Sequence, residues 1–67
     1  MTPYEIRVDG TMAETVLHEA FPELDGILVA KQTILFGQIV DEAHLYGLLA
    51  RFRALGLHVA ELRRLPG

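Results

Sequence analysis

The chain has 67 residues, no cysteine and a formal net charge of -3 at pH 7, with 51% hydrophobic and 22% charged residues. A domain of this length buries only about 60% of the surface its unfolded form exposes, and no disulfide can staple it, which leaves oligomerisation as the available support. The apolar content excludes a disordered tail, the acidic balance disfavours a nucleic-acid partner, and the lack of any run of about 18–20 apolar residues argues against a membrane-spanning helix.

In chain order, Tyr4-Glu5-Ile6-Arg7-Val8 alternates apolar and charged residues, the period of a strand with one buried face, and predicts a strand over 3–9. Asp9-Gly10 closes it with a turn. Thr11-Met12-Ala13-Glu14 has the Thr-x-x-Glu spacing of a capping box, so a helix is expected over 11–21, with Ala13, Val16, Leu17 and Ala20 as its apolar stripe. Pro22 stops that helix by driving Phe21 out of the helical region. Ile27 to Ala30 and Thr33 to Ile39 are β-branched-rich runs around Lys31-Gln32, which predicts a hairpin of strands over 26–31 and 33–40.

Asp41 is a good N-cap for a second helix, with Val40 and Leu45 at the spacing of a hydrophobic staple. Leu45, Leu48, Leu49, Phe52 and Leu55 supply the apolar stripe of a helix over 41–55. Asp41 and Glu42 sit at its positive end and Arg51 and Arg53 near its negative end. Gly56 then suits the left-handed position after the last turn, with Leu57 packing on Phe52. Residues 57–64 form the last strand, with less regular alternation.

This order is that of an α+β, ferredoxin-like βαββαβ sandwich, a single domain over 1–67. Its four-stranded antiparallel sheet carries both helices on one face, because both crossovers are right-handed. The first and third strands are central. Along "TILFGQIV", the all-apolar set Leu35, Gly37 and Ile39 is assigned to the helices, and Ile34, Phe36 and Gln38 to the open face. Ile34 and Phe36, joined by Ile27 and Val29 of the second strand, then lie where no helix of the same chain reaches. Such a patch marks an interface, since burying each side chain is worth about 1.5–3 kcal/mol.

The segments Phe21-Pro22, "TILFG", Asp41, "LYGLLARFRALGL" and "AELRRLP" resemble short ferredoxin-like proteins of high-GC bacteria that carry similar "LxGLLARIxxLGL" and "EVRRLP" segments. The likeness covers nearly the whole chain and implies a fold without a mechanism. The chain departs from those relatives at Ile27, Val29 and Phe36, where theirs are more often polar. More distantly it is similar to ACT-type regulatory modules, which pair to bind small effectors near the loop after the first strand. That resemblance would make Asp9, Gly10 and Thr11 a ligand loop, although a turn followed by a helix cap accounts for the same residues.

Chemistry has few residues to work with. His18, His44 and His58 lack the i, i+4 or His-x-His spacing of a metal site; His18 and His44 read as outward helix residues, and His58 as part of an edge strand. There is no serine or cysteine, Lys31 falls in the hairpin turn, and the glycines form no phosphate loop. Glu5 and Arg7, with Tyr4 and Tyr46, could line a polar pocket, but solvated or cross-strand ion pairs account for them more simply. Arg63-Arg64 should lie near Asp41 and Glu42, at the opposite pole from Arg51 and Arg53, so the arginines form no single patch for nucleic acid. The expectation is a cytoplasmic, non-catalytic, cofactor-free module that forms a homodimer or higher homo-oligomer, with no nucleic-acid or membrane partner. A small-molecule effector bound at a dimer interface, an unidentified protein partner, or a dimeric enzyme are the alternatives, each requiring an enclosed polar cavity or a further surface.

Overall fold

The computed structural model describes residues 1–66, with Glu14 described by its backbone alone. The elements follow the expected order: β1 (Thr2–Asp9), α1 (Glu14–Ala20), β2 (Asp25–Val29), β3 (Gln32–Ile39), α2 (Glu42–Ala54) and β4 (Val59–Arg64). The sheet is antiparallel with spatial order β2-β3-β1-β4, the ferredoxin-like arrangement with β1 and β3 in the middle. Ile6, Val8, Leu35 and Ile39 of the two central strands share one buried cluster with Met12, Leu17, Phe21, Leu48 and Phe52. Both helices therefore cover the same face of the sheet.

The local signals for α2 correspond to real hydrogen bonds. The Asp41 side chain accepts from the His44 N–H at 2.8 Å, capping the first turn as a short acceptor at this position does. At the other end Gly56 has φ +73°, Leu57 N–H donates to Phe52 O at 2.9 Å and Gly56 N–H to Arg53 O at 3.0 Å. These are the two bonds of a Schellman motif. Because a Cβ on Gly56 would meet nothing within 4 Å, a substitution there tests backbone strain alone. Gly56→Val is expected to cost about 1–2 kcal/mol; an unchanged chemical-denaturation midpoint would contradict it.

The first helix departs from expectation. It begins at Glu14 with Ala13 in the N-cap position and no side-chain cap, so Thr11 does not start it; the Glu14 half of the expected capping box lies outside the described side chains. The cause is a long-range tie. Thr33 Oγ1, fully buried, donates to Gly10 O at 3.0 Å and accepts from Met12 N–H at 3.2 Å, while the Met12 side chain enters the core. Residues 10–12 are committed to β3 before a helix can form. With two turns left, Leu17 and Phe21 supply the buried stripe, and Val16 is exposed.

Candidate functional site

Strand alternation places Glu5, Arg7, Ile34, Phe36, Ile27, Val29, Glu61 and Arg63 on the face opposite the helices. Cross-strand register orders them into rows: Ile27, Ile34, Arg7 and Glu61 in one, Asp25, Phe36, Glu5 and Arg63 in the next. The face is divided. Its β2–β3 half is mainly apolar, with Ile27 at 50%, Val29 at 44% and Phe36 at 37% exposure, and with Asp25 at its outer corner. Ile34, expected in this patch, lies on this face and is outside the helix-covered cluster, but it is only 7% exposed, flanked in register by Ile27 and Arg7.

The β1–β4 half is charged and alternates in sign. Arg7 Nε lies 3.6 Å from Glu5 Oε2 and 3.5 Å from Glu61 Oε1, and Arg63 Nη2 lies 3.4 Å from Glu5 Oε2. Glu5 and Arg7 thus form cross-strand pairs, as expected, with Tyr4 on the helix side against the core and Tyr46 exposed on α2. Arg7 Nε and Glu5 Oε2 are shielded from solvent and lack a hydrogen-bond partner. Pairs at separations of 3.4–3.6 Å on a sheet surface contribute little to stability, and orphaned polar atoms cost free energy.

The loop of Asp9, Gly10 and Thr11 turns at Gly10 (φ +92°). Gly10 N–H donates to Lys31 O at 2.7 Å, its carbonyl is held by Thr33, and the Asp9 carboxylate accepts from Gln32 Nε2 at 3.4 Å. The polar groups of Asp9 and Gly10 already serve the fold. His58 is 79% exposed in its side chain, 3.9 Å from Asp9, and His18 is exposed. Among the described residues no three His, Cys, Asp or Glu side chains could hold a metal, and no helix is long and apolar enough to cross a membrane. Arg64 does lie with Asp41 and Glu42, around one small surface cavity.

One cluster gave no signal in the sequence. Glu23, after α1, accepts from Arg51 Nη1 and Nη2 at 2.9 and 3.2 Å, and Arg51 also donates to Ala20 O at 2.8 Å. His44, read as outward, is half-buried here: its Nδ1 accepts from the Val40 N–H at 3.0 Å, leaving Nε2 to face Glu23 Oε2 at 3.4 Å. The cluster straps the α1–β2 loop to α2, and the same loop lies so close to Gly37 of β3 that a Cβ there would come 2.8 Å from the Leu24 side chain and 3.1 Å from the Glu23 carbonyl. The Arg51 guanidinium holds the Glu23 carboxyl below its usual value against opposing desolvation. A depressed folded-state pKa contributes stability that is present above the unfolded value of 4.5 and is lost as pH falls through the folded value. Glu23→Gln should flatten that acid limb of the melting-temperature profile; an unaltered slope below pH 4.5 would show that the strap carries no proton linkage. The carboxyl is partly solvent-exposed, which keeps the effect under about 1 kcal/mol.

Comparison with known proteins gives a family and little else: the family model described as a domain of unknown function, DUF8691, matches residues 3–63. No curated protein and no solved structure matches the chain.

Proposed function

Because the chain belongs to the DUF8691 family, whose description names no activity, we propose from its own geometry that it is a self-associating module whose open sheet face binds a second copy. The reading assigns it no catalysis and no cofactor, and a cysteine-free chain suits the cytoplasm. The observation that carries it is the apolar half-face of Ile27, Val29, Ile34 and Phe36 beside a charge checkerboard. Two copies meeting face to face about a two-fold axis that crosses the strands, midway between the two rows, set Ile34 against the partner's Phe36, with Ile27 against the partner's Asp25 at the outer edge. The same operation sets Arg7 against the partner's Glu5 and Glu61 against the partner's Arg63. It therefore sets opposite charges of the partner beside the Arg7–Glu5 pair, whose Nε and Oε2 have no hydrogen-bond partner within the chain. An axis along the strands also matches the charges, but it leaves Ile27 and Phe36 uncovered, so the first arrangement is favoured.

Analytical ultracentrifugation of the unmodified chain at micromolar concentration tests the reading. The expected result is a mass that is a multiple of 7.5 kDa. A clean monomer would overturn it.

A further inference from the structure

We propose that β4 is a second self-pairing surface, on which two copies of the chain join antiparallel about Leu62 and continue the sheet across the contact. Leu65 N–H donates to Pro3 O at 2.8 Å, and the register from Tyr4↔Arg64 to Arg7↔Glu61 is unbroken. Antiparallel ladders alternate hydrogen-bonded and non-hydrogen-bonded pairs. Glu61, Arg63 and Leu65 therefore turn their backbone polar groups toward β1, and Leu62 and Arg64 turn theirs outward. Edge strands are ordinarily protected by proline, by charged side chains (lysine above all), by a bulge or by a covering element. Here the bulge leaves Ala60 as the extra residue at the start of the exposed stretch; residues 61–64 contain neither proline nor lysine, are all exposed, and carry charges of both signs in Glu61, Arg63 and Arg64.

The exposed edge is complementary to itself. With Leu62 opposite the partner's Leu62, Glu61 falls opposite the partner's Arg63 and Arg63 opposite the partner's Glu61. Glu61 already lies 3.5 Å from Arg7 and Arg63 3.4 Å from Glu5, so the alternation of charge runs on unbroken from one chain into the next. On the helix side, Leu62 (39% exposed) meets its own copy, on the same strand as Val59, which lines a groove of about 610 Å³ with Leu49, Phe52, Leu57, Arg53 and His58. The other edge has no such match. Self-pairing of β2 about Ile27 sets its one charged residue, Asp25, against Val29.

Leu62 sits between the same two rows that the face-to-face axis divides. The edge axis, perpendicular to the sheet, therefore meets that axis at a right angle, and two intersecting perpendicular two-folds close the assembly at four chains instead of growing a filament. This closure rests on the proposed face contact; the edge pairing does not.

Amide hydrogen exchange read with light-scattering mass separates the two contacts. Leu62 and Arg64 amides have no acceptor on β1, yet they are expected to be protected like those of Arg63 and Leu65. Leu62→Lys, which sets two lysines face to face at the axis, should release that protection and halve the mass; Leu62→Pro, which deletes only an outward N–H, should halve the mass likewise. Fast exchange at Leu62 and Arg64 in a chain heavier than monomer, or a mass unchanged in both variants, overturns the edge pairing. Phe36→Lys should halve the mass while Leu62 and Arg64 stay protected; unchanged mass with protection intact overturns the face contact and leaves the edge dimer standing.

Discussion

Phe52→Ala is expected to leave no stable folded chain at low micromolar concentration. The Phe52 side chain is fully buried, and its ring stacks on Phe21 with centroids 4.4 Å apart and an interplanar angle of 21°. Arg51 lies over the opposite ring at 5.5 Å, so the pair joins α2, the end of α1 and the Glu23 strap. Removing a buried phenylalanine costs about 3–5 kcal/mol, and the lost aromatic pair adds about 0.5–1.5 kcal/mol. A single core of this size supplies only about 3–5 kcal/mol in all. Phe52→Leu keeps most of the volume and should remain folded with a lowered melting temperature. Circular dichroism decides: since about 1 kcal/mol moves the midpoint of a small domain by 4–8 °C, a Phe52→Ala midpoint within about 10 °C of the parent would show that the stacked pair is not the keystone of this core.

What could be read from the sequence, and what could not, divides by the distance over which each feature is determined. Asp41 and Gly56 were legible because a cap is set by residues three to five positions away. The two faces of β3 were legible because alternation is a property of the strand itself, and Leu35 and Ile39 are in the core while Phe36 is not. The start of α1 was not, because it depends on the Thr33 hydroxyl, which ties down Gly10 and Met12 from more than 20 positions away. Glu23, Arg51 and His44 form their strap across separations of 21 and 28 residues, and nothing in the local pattern marks such a pairing. The hairpin turn lies one residue earlier than the expected Lys31-Gln32 for a related reason: its two-residue loop is Ala30-Lys31, between Val29 and Gln32, with Ala30 at φ +47°, where glycine or asparagine would have announced it. The irregular alternation of the last strand has its explanation in the bulge against Val59, since one extra residue shifts the period.

Substitution of Phe36 carries the largest expected effect on assembly, and the register improves on the obvious choice of variant. Phe36 lies opposite Asp25 on one side and Glu5 on the other. Phe36→Asp would therefore place three carboxylates in one row and destabilise the isolated chain by like-charge repulsion, whatever happens at an interface. Phe36→Lys reverses that sign: the ammonium sits between two carboxylates, so the isolated fold is supported while a charge is forced into the apolar half of the contact. Both variants should reduce the sedimenting mass, but only Phe36→Asp should lower the melting temperature once the chains are apart. If Phe36 lay under the helices, either charge would unfold the protein, and its 37% exposure argues against that. A Phe36→Lys chain that sediments like the parent across the micromolar range would remove this face from the assembly and require the apolar half to serve a different partner.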